Sequence, residues 1–359
     1  MPNIIINTAC NLRCRYCFAD DCKANNVNIN MTMKNFKKAL DFVSRTDNYI
    51  GILGGEPLIH PDIDSMIMQV IMDDRYVSTT IFTNGIEVDN HLGIFANRKV
   101  GCLINFNSEE NIENKENEER VIDNIGQLIA LKKDQDCNDP NVPKPDNQIN
   151  MGCNIWKPDQ NFDVLIDTLH KYDRHNLRIS TVVPNSTGKK GMNPIAYFKE
   201  MKPTVMRLFD MLYEIGCVPK SDCNYIPTCV FTEEELNDLE RRFVPLAQKY
   251  NLDFNITRNT TCQMGPIDIY PDLTVARCFG FSEHDRQNID DYFDINGIRN
   301  YFIKTVTNLV HYVPSQEECK DCYSFKTLQC TGGCCAYKTE EVDRLRGEMD
   351  AIKGLDNDR

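Results

Sequence analysis

The chain has 359 residues, with 40 Lys and Arg against 53 Asp and Glu and a formal net charge of −13. At 41% hydrophobic residues it has enough apolar material for one large α/β domain and a smaller appendage, while the acidic balance argues against a broad nucleic-acid or anionic-membrane surface. No apolar run approaches a membrane span, and residues 1–9 lack the basic and apolar regions of a signal peptide.

Strand and helix signals alternate from the start. Pro2–Thr8 reads as a first strand and runs into a cysteine loop; Thr32–Thr46 is an amphipathic helix with Phe36, Leu40 and Val43 on one face. The pattern continues as strand Asn48–Leu53, helix Ile63–Met72, strand Val77–Phe82, short helix His91–Asn97, strand Val100–Phe106 and helix Glu118–Lys133. After a polar loop, 134–147, come strand Gln148–Trp156, helix Asn161–Tyr172, strand Leu177–Val183 and helix Pro194–Ile215. Six β-α repeats imply a parallel sheet with right-handed crossovers. Six are too few for a closed eight-fold barrel, so the expected fold is α/β, a partial (β/α)6 TIM-like barrel.

Cys217–Cys229 reads as irregular. Phe231–Tyr250 is a charged amphipathic helix that Thr232 and Glu235 are spaced to cap, and Leu252–Thr257 is a candidate seventh strand. Beyond it the chain is cysteine-rich. The expected division is 1–257 for the barrel with its extension 217–257, 258–338 for a C-terminal cysteine-rich domain, and 339–359 for a charged, exposed or frayed helical tail.

Active loops of such sheets sit at the C-terminal ends of strands, and the unusual sequences fall there. Cys10, Cys14 and Cys17 close the first strand, at spacings of four and three. Three thiolates so placed suit a four-iron cluster with one open iron; zinc or a closed Fe–S site completed by a distant cysteine is the alternative. Gly54-Gly55-Glu56-Pro57 ends strand two, Thr83-Asn84-Gly85 strand three, Asn105 and Asn107 strand four, and Asn154 lies in strand five. Seventeen cysteines clustered near the two ends fit intracellular metal ligation better than disulfides, which places the protein in the cytoplasm.

Cys10-x-x-x-Cys14-x-Tyr16-Cys17, with GGEP and TNG following in order, resembles the radical S-adenosylmethionine (SAM) enzymes. The resemblance implies that Cys10, Cys14 and Cys17 hold a [4Fe–4S] cluster whose open iron chelates SAM. Reductive cleavage of SAM then yields a 5′-deoxyadenosyl radical that abstracts hydrogen from substrate. It also implies that Tyr16 lies against the adenine, that Gly54, Gly55, Glu56 and Pro57 meet the SAM amino group, and that Thr83, Asn84, Asn105, Asn107 and Asn154 line the cofactor.

The C-terminal cysteines resemble the SPASM extension of peptide-modifying radical SAM enzymes, which carries auxiliary [4Fe–4S] clusters. By position Cys262, Cys278 and Cys334 serve an inner cluster and Cys319, Cys322 and Cys330 an outer one. Cys335 is the candidate fourth outer ligand, and Cys223 or Cys229 could complete the inner one. A single-cluster variant and zinc knuckles are the alternatives. Three departures stand out: Leu273 where the hairpin usually has glycine, seven rather than five residues between Cys322 and Cys330, and no cysteine after Cys335.

The implied function is oxidative modification of a peptide or protein: a thioether or carbon–carbon crosslink, or side-chain oxidation. The implied partners are a flavodoxin- or ferredoxin-like electron donor and, because the barrel starts near residue 1, a separate leader-recognition protein. Modification of a small metabolite and a non-catalytic Fe–S electron carrier are the competing readings. Cys22, Cys102, Cys137 and Cys153 are expected bystanders, Lys189 and Lys190 lie on a strand-end loop, and His60 and His91 carry no catalytic pairing.

Overall fold

The structure is a computed structural model. It describes the chain except residues 18–28, 107–113, 134–147, 183–193, 222–225, 258–260, 263–266, 282–284 and 358–359, and except the side chains of Cys335 and of residues 350–359. Cys22, Asn107, Cys137, Lys189, Lys190 and Cys223 therefore lie outside the described residues.

The alternation forms as read. Strands β1 (Asn3–Ile5), β2 (Tyr49–Leu53), β3 (Ser78–Thr83), β4 (Val100–Asn105), β5 (Ile149–Ile155) and β6 (Asn176–Thr181) lie side by side and parallel in chain order. The crossovers carry α1 (Met33–Val43), α2 (Ile63–Met72), α3 (Leu92–Phe95), α4 (Lys115–Lys133) and α5 (Asp163–Lys171), and α6 (Pro194–Glu214) follows β6. Thr32 caps α1 by accepting from the Asn35 N–H at 3.1 Å. Ile81, Cys102, Ile104, Met151, Cys153 and Ile155 alternate onto the helix-covered face and are buried.

The seventh strand is not where the sequence placed it. β7 (Val218–Ser221) pairs parallel with β6, whereas Leu252–Thr257 forms no strand. Four residues that include a proline give no alternation to read, and proline is tolerated here because β7 is the edge. Asn255 covers that edge with its side chain: its Oδ1 accepts from the Ser221 N–H at 3.0 Å and its Nδ2 donates to the Ser221 carbonyl at 2.5 Å. The helix that follows β7, α7 (Glu233–Tyr250), starts with the expected capping box. Thr232 Oγ1 accepts from the Glu235 N–H, and the Glu235 carboxylate accepts from the Thr232 N–H at 2.7 Å.

The other edge is extended by the cysteine-rich segment. β8 (Asp268–Ile269) pairs parallel with β1, β9 (Thr274–Ala276) turns back on β8, and β10 (Gln287–Asn288) pairs with β9, giving one ten-stranded sheet. Leu273 closes the hairpin at φ +68°, the left-handed conformation a glycine would adopt without strain. α8 (Ile295–Phe302) buries Ile298 and Phe302. The last helix, α9 (Thr339–Asn357), is seated rather than frayed at its start, because Val342 is fully buried in the main core.

Candidate active site

The site is built on the stem of the cysteine loop. Beyond β1 the backbone is gripped from both sides. Ile6 N–H donates to the Leu53 carbonyl at 2.8 Å; Met31 N–H donates to the Ile6 carbonyl at 2.7 Å, and Thr8 N–H to the Ile29 carbonyl at 3.0 Å. The departing and returning chains are thus zipped together, which ties the loop at Thr8 and Ile29. Within it Cys10, Cys14 and Cys17 are half-buried and not disulfide-bonded. Leu12 N–H points at Cys10 Sγ at 3.4 Å, and Cys17 N–H donates to the Cys14 carbonyl at 3.1 Å.

The glycines of the GGEP turn serve that stem. Gly55 N–H donates to the Asn7 carbonyl at 3.1 Å and Glu56 N–H to the Ala9 carbonyl at 2.8 Å. A Cβ on Gly55 would lie 2.2 Å from the Ala9 carbonyl oxygen, and one on Gly54 would lie 1.9 Å from Asn7 Oδ1. Only residues without side chains let the two backbones approach so closely. Asn7, fully buried, completes the junction by donating to the Glu56 carbonyl at 2.8 Å.

The Glu56 carboxylate is turned inward. It accepts from the Leu58 N–H at 3.0 Å, the Thr83 hydroxyl at 2.8 Å and the Asn84 N–H at 2.7 Å. Burial pushes its carboxyl up to about 7, against the pull of these donors. Pro57 is buried and opens the short turn Pro57–Ile59. Asn84 in turn donates from Nδ2 to Asn11 Oδ1 at 2.7 Å and accepts the Ile86 N–H at 3.0 Å, while Gly85 takes φ +86°. The ends of β1, β2 and β3 are therefore locked into one hydrogen-bonded assembly. Asn7 and Asn11 are members of it that sequence reasoning missed, because a lone Asn beside a strand end reads as turn chemistry.

Tyr16 is 7% exposed and its ring lies 5.8 Å from that of Trp156, tilted by 38°. Burial first, then the Cys14 and Cys153 thiols, holds its hydroxyl well above the ordinary tyrosine range, partly offset by a hydrogen bond with Asn154. Gln160 fastens the Trp156 backbone, accepting its N–H at 3.0 Å and donating to the Asn154 carbonyl at 3.0 Å.

The strand register defines a second face. Asn105 pairs with Gly152, Gly152 with Arg178 and Asn154 with Ser180, so these residues share the sheet face opposite to Cys102, Cys153 and Ile155. A Cβ on Gly152 would sit 3.1 Å from Asn105 Oδ1. Arg178 and, on β7, Lys220 place two cations along this face. With Asn105, Asn154 and Ser180 they make this face polar where the opposite face is apolar.

Cys102, Cys153 and Cys217 are buried hydrophobes, and burial pushes each thiol up to about 12. His60 is 2% exposed, accepts the Asp62 N–H at Nδ1 and faces the Met31 carbonyl at Nε2. His91 pairs with Asp64 at 2.7 Å on the surface.

In the C-terminal array Cys262, Cys278, Cys319, Cys322, Cys330 and Cys334 are all free of disulfides. The Cys262 N–H donates to Thr331 Oγ1 at 2.8 Å, which brings the start of the array to its end. Buried Lys338 donates to the Val310 carbonyl at 2.8 Å and to the Thr331 carbonyl, bracing the turn that carries Cys330 and Cys334. Among the described residues no three His, Cys, Asp or Glu side chains converge as they would around a single ion. Both regions are rich in thiols, soft donors of the kind iron–sulfur sites use.

Residues 4–134 match the sequence model of the radical SAM superfamily. The GTP 3′,8-cyclase of Chlorobaculum tepidum is 30% identical over 89 residues, which are 25% of this chain and 27% of that enzyme; the match thus spans about a quarter of the relative's length. Two solved structures of Streptococcus suis SuiB align over 92% of this chain at 17% identity. They are SuiB bound to S-adenosylmethionine, with TM-score 0.53 and 72% of that chain covered, and SuiB bound to the precursor peptide SuiA, with TM-score 0.55 and 71% covered. At that identity the likeness concerns the fold.

Proposed function

We propose that this protein cleaves SAM reductively at the C-terminal ends of β1–β3 and uses the resulting radical to modify a peptide or protein oxidatively. The observation that carries the proposal is the assembly of Asn11, Asn84, Glu56 and Thr83. It ties the ends of three strands to the Cys10–Cys17 loop. Cys10, Cys14 and Cys17 would hold the [4Fe–4S] cluster, which supplies the electron for SAM cleavage and a site for the SAM amino and carboxylate groups. Tyr16, Gly54, Gly55, Pro57, Thr83, Asn84, Asn105, Asn107 and Asn154 would surround SAM.

Glu56 contributes indirectly, since its carboxylate is engaged inside the protein; acceptors for the SAM ammonium would come from the backbone of the GGEP turn. Orientation by a pre-locked frame is the main help such a site can give, because the reacting carbon must meet the substrate hydrogen in one geometry. The polar face with Arg178 and Lys220 would receive the substrate, and suits an acidic segment.

A peptide substrate is supported by the fold shared with SuiB across the C-terminal array as well as the barrel. We extend this to auxiliary [4Fe–4S] clusters on Cys262, Cys278 and Cys334 and on Cys319, Cys322 and Cys330, in a SPASM-like segment over 258–338, and to a flavodoxin- or ferredoxin-like donor. A small-metabolite substrate is the second reading, motivated by the cyclase match over 25% of the chain. The test is anaerobic incubation of iron-loaded protein with dithionite and SAM. The proposal expects 5′-deoxyadenosine, increased by the cognate peptide and abolished by alanine at Cys10, Cys14 and Cys17; no 5′-deoxyadenosine from a fully loaded protein refutes it.

A further inference from the structure

Arg277 follows β9 directly and is 1% exposed, one of the largest fully buried side chains. Burying a guanidinium is costly unless its N–H groups and its charge are met inside the protein. Two of its nitrogens are met by neighbours from different segments. Nε donates to Thr307 Oγ1 at 3.1 Å, and Nη1 donates to Cys278 Sγ at 3.7 Å. Thr307 ends the π-helical turn Ile303–Thr307, which continues α8. Such widened turns recur at functional sites, and this one supplies the hydroxyl that holds the guanidinium in place.

The same sulfur meets the rest of its array. A Cβ on Gly280 would lie 3.8 Å from Cys278 Sγ and 2.5 Å from Ala336 Cβ, so Cys278 adjoins the segment that carries Cys334. Cys262 is tied to that segment by its N–H on Thr331 Oγ1 at 2.8 Å. Hydrogen bonds to the sulfurs and local charge are two of the levers that set the potential of an iron–sulfur cluster. Reduction adds a negative charge, and an adjacent cation favours the reduced form, the more so where water is excluded.

We infer that Arg277 is a positioning residue for the cluster at Cys278: pinned by Thr307, its guanidinium orients the Cys278 sulfur and raises the cluster's reduction potential. This rests on the proposal that Cys262, Cys278 and Cys334 hold an auxiliary cluster. It needs arginine in particular, because a lysine ammonium lacks the planar fork that addresses a hydroxyl and a sulfur together. An Arg277 that only filled space would affect stability and leave the potential where it is.

The test uses full-length protein with Cys10, Cys14 and Cys17 changed to alanine, loaded with iron and sulfide and followed by EPR during a redox titration. Arg277→Met should move one cluster's midpoint to lower potential and leave any other signal in place. Thr307→Val keeps the arginine and every array cysteine, and should move the same midpoint in the same direction by less. A second measurement leaves the site unsubstituted: in protein made with arginine carrying 15N only in its guanidinium, the reduced cluster should show a weak 15N hyperfine coupling in pulsed EPR, absent from Arg277→Lys. Unchanged midpoints in an iron-retaining Arg277→Met, or no 15N coupling in the labelled parent, overturns the inference. If Arg277→Met loses its iron, the labelled parent decides: coupling supports the inference and its absence overturns it. A parent that binds no iron, or only zinc, overturns the auxiliary-cluster proposal itself, and the inference with it.

Discussion

Replacing Gly55 by alanine should disable the site without touching a ligand. The new Cβ would stand 2.2 Å from the Ala9 carbonyl oxygen, 2.6 Å from its carbon and 2.7 Å from the Thr8 carbonyl oxygen. All three obstacles are backbone, so no rotamer change relieves them, and the stem of the cysteine loop must retreat by roughly 1 Å to regain normal contact. That retreat breaks or stretches the Gly55–Asn7 and Glu56–Ala9 hydrogen bonds. Two such bonds are worth about 1 kcal/mol each, and overpacking adds ~1–3 kcal/mol, so the expected destabilisation is about 3–5 kcal/mol. The rate should suffer more than the fold, because a misplacement of ~1 Å costs about 100-fold in rate. Anaerobic 5′-deoxyadenosine formation and urea unfolding read the two effects separately. Gly93→Ala is the control: nothing lies within 4 Å of its Cβ position, and alanine there should be neutral or stabilising by up to ~1 kcal/mol. If Gly55→Ala cleaves SAM at the rate of the Gly93 control, the close approach of the two backbones does not set the site.

Glu56 and Asp268 are both fully buried, and burial pushes each carboxyl up to about 7. The folded state therefore holds these protons more tightly than the unfolded one, and their stabilisation is present below the unfolded values and lost as pH rises to about 7. His60 and His311, held down by burial, act in the opposite sense below their ordinary value, so the difference between wild type and variant is the clean readout. Glu56→Gln should flatten the fall in urea stability between pH 5 and 7.5 by about 3 kcal/mol, at about 1.4 kcal/mol per pH unit; an unchanged slope would show that Glu56 is ionised throughout. Leu273→Gly relieves a left-handed leucine, about 1–2 kcal/mol, but deletes a side chain that is 6% exposed, about 2–5 kcal/mol. Net destabilisation by a few kcal/mol is expected in chemical denaturation, and a stabilised variant would mean that the hairpin strain dominates. Tyr16→Phe removes the hydroxyl bonded to Asn154 and should cost about 1 kcal/mol while leaving cluster iron unchanged; iron loss would assign Tyr16 a part in holding the loop.

Much of the frame was legible because its signals are local. Period-two and period-3.6 patterns located α2 at Ile63–Met72 to the residue, and Thr232 with Glu235 announced the start of α7. The strand-end motifs were legible because few sequences put three cysteines, two glycines before a glutamate, and an asparagine–glycine at successive strand ends. β7 was not legible, being an edge strand of four residues around a proline, and neither was the union of β8–β10 with the barrel sheet, which depends on the pairing of Asn3 with Asp268 across the whole chain.

The sequence by itself therefore determined the repeating β-α units, the strand-end motifs and the two cysteine arrays, since each depends on residues within a few turns of one another. Tertiary structure alone decided where the Glu56 carboxylate points, what the two glycines make room for, and that Cys262 is held to Thr331 at the far end of the cysteine array. Those are contacts between segments distant along the chain, and hydrophobic packing of the sheet and its helices, rather than any local preference, sets their distances.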